Sequence, residues 1–256
     1  MIDLFLVGIG MGNPDHLTAQ AVGALQSADL ILIPEKGDEK SDLADLRTVI
    51  CEKLLSPVPK IARFRLPVRD PKESSYLKRV TDWHEKIALQ WRDEILKNRP
   101  NGGRIALMIW GDPSLYDSSL RIANRLIAEE QHVKINVVPG LTSVQLLTAA
   151  HKIPLNTLAE PVMIMTGRNL RDGGWPDAVK TAVIMLDGDC SFDQLDGKDF
   201  TIWWGAFLGM PEQILAAGPL HKCCEEIKSI RANARAQHGW IMDSYLLRKN
   251  PDELQN

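Results

Sequence analysis

The sequence predicts an α/β protein built as two α/β domains, and three observations carry that prediction. Short runs rich in Val, Ile and Leu alternate with amphipathic helical patterns, as expected of strands and crossover helices forming largely parallel sheets. Several of the runs are apolar at nearly every position, which suits strands covered on both faces. With 256 residues the chain is long enough to bury one large core or two modest ones without disulfides.

Residues 2–7 form the first near-continuous apolar run, followed by a glycine loop and a helix over 15–26 with Leu17, Ala21, Ala24 and Leu25 on one face. Residues 29–33 read as a second strand and 36–42 as a loop, and 43–55 carries helical periodicity that stops at Ser56-Pro57. Residues 60–66 suit a strand. A long amphipathic helix over 74–97 places Leu77, Val80, Trp83, His84, Ile87, Trp91 and Ile95 at spacings of three and four. The Trp83/Trp91 stripe fits a core or a subunit contact better than a platform for stacking bases. Pro100-Asn101-Gly102-Gly103 is turn chemistry, and 104–109 is the next buried strand. A helix over 118–130, a strand over 133–138, a short helix over 143–150 and strands near 161–165, 181–186, 200–204 and 239–247 complete the reading. The first strands make one sheet and those from about 133 a second, with the division near 113–120, giving domains 1–115 and 116–256 and a cleft at their boundary.

Composition excludes several classes. A formal charge of −3 provides no positive field for nucleic acid or anionic lipid. The longest apolar stretches, 105–110 and 182–186, fall far below the roughly 20 residues of a membrane span. The opening MIDLFLVGIGMG has no basic region and no cleavage signature, so a cytoplasmic location is expected. Cys51, Cys190, Cys223 and Cys224 lack paired Cys-x-x-Cys spacing, and no metal site is expected.

Three loops could carry chemistry. Gly8-Ile9-Gly10-Met11-Gly12 lies between a strand and a helix, where glycines let backbone approach a ligand and helix N–H groups point outward. Its spacing is Gly-x-Gly-x-Gly rather than the dinucleotide Gly-x-Gly-x-x-Gly, although Glu35 could serve as the acid ending the second strand; a simple tight turn is the alternative. The stretch from Trp110 to Ser118 follows a buried strand, at the edge where open α/β sheets bind ligands. A turn with an Asp117 or Ser118 helix cap explains part of it but gives no reason for Trp110 and Tyr116. Val138-Pro139-Gly140-Leu141-Thr142-Ser143 is a third strand-to-helix corner. Gly-x-Ser-x-Gly, a phosphate loop and His-Glu-x-x-His are absent from the sequence, so hydrolase, NTPase and zinc-protease readings have no support. Of the scattered histidines, His16 stands out because it follows the glycine loop.

Taken in order, VGIGMGNPDHLTAQAVGALQSADLILI, MIWGDPSLYDS and VVPGLTSVQLLTAAHKIPL resemble the three motifs of the tetrapyrrole (class III) methyltransferase family. The segments LIPEKGDEKSDLADLRTVIC and TIWWGAFLGMPEQILAAGPL and the insert around DWHEKIALQW resemble the branch that methylates ring carbon C1 of precorrin-5 and releases its acetyl group as acetate, in aerobic cobalamin synthesis. The resemblance implies two α/β domains with S-adenosylmethionine in the trough between them, in a homodimer. By matching position it implies cofactor contacts, mostly from backbone and small side chains, at Met11, Trp110, Gly111, Asp112, Leu115, Thr142, Ser143, Leu186, Asp187 and Gly205. Many relatives carry proline where Met11 stands, and Met or Leu where Asp187 stands.

That chemistry asks for water to attack the acetyl carbonyl and for a methyl donor in line with the ring carbon, while the conjugated macrocycle spreads the charge. No catalytic residue is singled out, though Asp15, His16, Asp112 and Tyr116 are base candidates by loop position. Arg63, Arg65, Arg168 and Arg171 are candidates for the substrate carboxylates, with surface ion pairs as the alternative. Two readings from other classes stand beside this one: an NAD-dependent oxidoreductase using the Gly8 loop and Glu35, and a carrier that binds a tetrapyrrole without turnover.

Overall fold

The computed structural model describes residues 1–35, 41–129 and 132–250. Its contacts fall into two units, Met1–Thr142 and Ser143–Asn256. The expected boundary at 115/116 therefore lies inside the first unit. The reason is β5: residues 133–138 pair with the first strand instead of opening a second sheet.

Unit 1 contains β1 (Ile2–Gly8), α1 (Ala19–Gln26), β2 (Leu30–Glu35), α2 (Ser41–Leu54), β3 (Ile61–Arg65), α3 (Tyr76–Asn98), β4 (Gly103–Ile109), α4 (Ser119–Glu129) and β5 (Val133–Val138). The five strands are parallel in the order β3-β2-β4-β1-β5. Strand alternation divides the apolar residues between two faces. Leu4, Leu6, Leu30, Leu32, Ile105 and Leu107 meet Ile87, Trp91 and Ile95 of α3 and Ile122 and Leu126 of α4. On the other face Val7, Ile31, Ile33, Ala106 and Met108 meet Ala21 and Leu25 of α1 and Ile50 and Cys51 of α2. Helix starts follow local chemistry: Thr18 accepts from Ala21 N at 3.0 Å, and Ser75 caps α3 through Lys78 N at 3.4 Å. Helix α1 begins at Ala19 because Asn13-Pro14 first closes a single 3-10 turn over Pro14–His16.

This order positions the site. Adjacent strands β1 and β4 send their chains in opposite directions. From β1 the chain runs through α1 on one face to β2; from β4 it runs through α4 on the other face to β5. The carboxyl ends of these two strands are therefore a topological switch point, where the departing loops leave a crevice.

Unit 2 contains α5 (Ser143–His151), β6 (Val162–Thr166), α6 (Gly167–Gly173), β7 (Thr181–Met185), β8 (Phe200–Ala206), β9 (Ile214–Pro219), α7 (Leu220–His238) and β10 (Asp243–Lys249). Its sheet runs β6-β7-β10-β8-β9. Only β6 and β7 are parallel; β10 runs antiparallel to β7 and β8, and β9 antiparallel to β8. The expectation of largely parallel sheets holds for unit 1 and fails here, because the connection over 207–213 is too short for a parallel crossover. The fully buried Trp204 and Tyr245, cross-strand partners, centre the core with Phe192, Phe207 and Ile227. The sequence reading has no counterpart for β9, α6 and α7. Of the nineteen residues of α7 only Leu220, Cys223, Ile227 and Ala234 are buried, so its apolar stripe is sparse.

Truncating Leu6, which is fully buried between the sheet and α3/α4, should cost about 2–5 kcal/mol of unfolding free energy. Leu96→Ala, on the exposed side of α3, should stay within about 0.5 kcal/mol of the parent. Urea titration of both variants checks the pair.

Candidate active site

The ends of β1, β4 and β5 meet through backbone. A Cβ on Gly8 would lie 2.6 Å from Gly140 N and 2.8 Å from Gly111 O, and one on Gly140 would lie 2.8 Å from Gly8 C. No side chain fits between these strands, so both positions require glycine. Gly111, at φ +64, bridges to Gly10: its N–H donates to Gly10 O at 2.8 Å, and Gly10 N–H donates to Gly111 O at 3.4 Å. Asp112 ties the cluster together. Its Oδ2 accepts from Gly140 N at 2.9 Å and its Oδ1 from Ser114 N at 2.8 Å and the Ser114 hydroxyl. Burial pulls the Asp112 carboxyl up, but the bonds from Ser114 and Gly140 outweigh it and hold the group below its ordinary value.

Around this backbone knot stand the expected residues of unit 1. The Met11 sulfur lies 3.8 Å from where a Gly111 Cβ would be. Trp110 is half-buried, with its Nε1 enclosed and without a partner. Leu115 N donates to Asp112 O at 3.3 Å, and Thr142 is buried. Tyr116 takes φ +50 and stays 42% exposed, a conformation that a bulky residue adopts only when its loop imposes it.

In unit 2, Ser143 is buried as the first residue of α5. Met185, Ser244 and Gly205 form one row across β7, β10 and β8, and Leu186 follows directly on Met185. Leu186 sits at φ +54 with 67% of its surface exposed. A Cβ on Gly205 would lie 2.6 Å from Leu208 Cδ2. Asp187 is 6% exposed and its carboxylate is fully engaged: Ser191 N at 2.6 Å, Ser191 Oγ at 2.9 Å, Tyr245 Oη at 2.6 Å and Asp189 N at 3.1 Å all donate to it. Its own carbonyl accepts from Arg231, which pairs with Asp243 at 2.9 Å. Burial and the Asp187 charge push the Tyr245 hydroxyl far above its ordinary value, so it remains a donor. The Asp187 side chain is therefore architectural, and Leu186 is the residue it presents.

The base candidates separate. Asp112 spends its oxygens on the loop, Asp15 is exposed near Lys53 at 4.0 Å, and desolvation raises the Tyr116 hydroxyl. His16 keeps a buried, unpartnered Nδ1 beside Gly10. Among the arginines, Arg63 is held by Asp45 at 2.8 Å and Glu35 at 3.6 Å, and Arg171 pairs with Asp189 and Asp172. Arg65 and Arg168 stand at the end of β3 and the start of α6. Sequence reasoning missed Arg47, whose guanidinium lies over the Trp110 ring at 4.8 Å, and Ser244, whose buried Oγ has no partner; neither lies in a loop motif.

The oxidoreductase reading fails on topology. Strand β4 intervenes between β1 and β2, so Glu35 does not neighbour the glycine loop as a ribose-binding acid must, and it is paired with Arg63. The loop sequences match a known profile instead. Residues 3–223 fit the description Tetrapyrrole (Corrin/Porphyrin) Methylases. The chain belongs to this family. Precorrin-6A synthase [deacetylating] of Sinorhizobium sp is 42% identical over 254 residues, 98% of this chain and 97% of that protein. The crystal structure of a cobalamin synthesis related protein (CobF) from Corynebacterium diphtheriae is 36% identical and superposes with a TM-score of 0.82 over 97% of this chain and 99% of its own. Uroporphyrin-III C-methyl transferase from Thermus thermophilus, solved with S-adenosyl homocysteine, shares the fold at 19% identity, with a TM-score of 0.57 over 96% and 92% of the two chains.

Two substitutions test these strand ends, one in each unit. Because the Asp112 value is depressed in the folded state, its contribution is complete above about pH 4 and is lost as pH falls through the folded value. Asp112→Asn should be less stable than the parent by about 1 kcal/mol at neutral pH, with the gap closing in acid; thermal melts at several pH values read this out. Tyr245→Phe removes a donor from a buried carboxylate and should cost about 1.5–3 kcal/mol, measured by denaturant titration.

Proposed function

We propose that the protein is an S-adenosylmethionine-dependent C-methyltransferase of aerobic cobalamin synthesis, converting precorrin-5, S-adenosylmethionine and water to precorrin-6A, S-adenosylhomocysteine and acetate. The observation that carries the reading is the full-length likeness to the Sinorhizobium deacetylating synthase, joined to a loop cluster whose chemistry suits the cofactor. Beside the glycine strand ends the enclosed Trp110 Nε1 lacks an acceptor, and Met11 and Leu115 offer apolar surface. Cofactor contacts are assigned to Met11, Trp110, Gly111, Asp112, Leu115 and Thr142 of unit 1 and to Ser143, Leu186, Asp187 and Gly205 of unit 2, with Asp112 and Asp187 acting through backbone because their carboxylates are engaged.

When bound, S-adenosylmethionine supplies an electrophilic methyl group. The chain's part is to hold the donor and ring carbon in line and to admit one water to the acetyl carbonyl, and positioning of this kind is worth roughly 7–11 kcal/mol in favourable cases. His16 is the base candidate that the structure leaves with an unused nitrogen. Arg63, Arg65, Arg168 and Arg171 are the candidates for the substrate carboxylates, with Arg63 and Arg171 also facing acids of the chain. The proposal includes a homodimer in the cytoplasm; among the described residues no helix is long and apolar enough to cross a membrane.

Calorimetry with S-adenosylhomocysteine should show micromolar binding, about −8 kcal/mol, and NAD should show none. Incubation with precorrin-5 and S-adenosylmethionine should release acetate and S-adenosylhomocysteine in equal amounts. Methyl transfer without acetate would move the assignment to another precorrin methylase, and tight tetrapyrrole binding without turnover would make the protein a carrier.

A further inference from the structure

Among the described residues Arg47 is the one lysine or arginine that is buried, at 7% exposed. It lies in α2, and its contacts are unusual for an enclosed cation. Nε donates to Met108 O at 3.1 Å and Nη1 to Leu43 O, one turn back in its own helix, at 3.1 Å. The guanidinium covers the Trp110 ring, 4.8 Å from its centroid. Burial lowers its pKa to about 10, with the Asp117 charge working the other way, so the group is cationic at neutral pH. Enclosing a charge against carbonyls and an indole is costly compared with filling the same space by an apolar side chain. Packing alone therefore gives no reason for an arginine here.

Geometry supplies one. Met108 and Trp110 flank Ile109, the last residue of β4, and both belong to the α1/α2 face of the sheet. One planar fork therefore grips the strand end by its carbonyl and the first loop residue by its ring. We propose that Arg47 is a positioning residue for the cofactor loop: by stacking on Trp110 while bonding Met108 O, it sets how Trp110, Gly111 and Asp112 leave β4. This rests on the reading that the loop holds S-adenosylmethionine. Lysine could keep the charge over the indole but could not also present a planar donor to the carbonyl.

The test is a double-mutant cycle on the full-length protein, with the S-adenosylhomocysteine dissociation constant as the readout and a thermal melt for each variant. Arg47→Met should weaken binding about tenfold, equivalent to about 1.4 kcal/mol, and Arg47→Lys should fall between it and the parent. In a Trp110→Leu background, Arg47→Met should change binding by less than about twofold, because the residue through which it acts is gone. Unchanged binding in Arg47→Met with a lowered melting temperature would make the arginine merely structural and overturn the proposal. An equal loss in both backgrounds would overturn it too, by showing that Arg47 does not act through Trp110. Should Arg47→Met fail to fold, Arg47→Lys in the two backgrounds decides by the same criterion. Failure of the parent itself to bind S-adenosylhomocysteine would sink the cofactor reading, and this inference with it.

Discussion

Everything at the candidate site depends on the close approach of three strand ends. β1, β4 and β5 converge so tightly at Gly8, Gly111 and Gly140 that no Cβ fits at Gly8 or Gly140. The departing loops are then joined by the Gly10–Gly111 bridge and by the Asp112 carboxylate reaching Gly140. A side chain at either glycine would force β1 and β5 apart and break that link. Because β1 and β4 also feed helices on opposite faces, the tight junction lies at a switch point of the strand order, the edge at which open α/β sheets bind ligands. Close backbone packing and an open ligand edge thus arise from one strand order.

The two units solve the same problem with different materials. Unit 1 shapes its loops with glycine and backbone hydrogen bonds, and leaves its polar side chains to tie loop to strand. Unit 2 shapes its corresponding strand end with a buried acid. Asp187 accepts from Ser191, Asp189 and Tyr245 and anchors Arg231 through its carbonyl. The left-handed, exposed Leu186 is held by its neighbour's network. A strained backbone persists only where its surroundings over-determine it, and the Asp187 bonds provide that.

This division of labour bears on catalysis. Carboxylates that the sequence places near the proposed cofactor loops are consumed by architecture, as Asp112 and Asp187 both are, which under the proposed function leaves positioning as the main contribution of the chain. A substrate whose conjugated ring system spreads its own charge has little need of an elaborate acid–base pair, and a site built from backbone and apolar side chains is consistent with that.

The sequence by itself determined the elements of unit 1 and the three strand-to-helix loops that are candidates for binding a ligand. Buried parallel strands are apolar throughout, helices repeat every three to four residues, and Gly, Pro and Asp are confined to the corners between them. Tertiary structure alone decided where β5 belongs, since pairing with β1 depends on crossover direction rather than on anything in residues 133–138. It alone decided the antiparallel half of unit 2, where β9 is short and rich in small residues and α7 buries only four of its nineteen residues. It also decided which motif residues keep free chemistry: the spacing that marks Asp112 or Arg63 as candidates is silent on the partners that occupy them. Arg47 and Ser244 are invisible in sequence for the same reason. Their significance lies in what surrounds them, and burial against a distant segment leaves no local pattern in the chain.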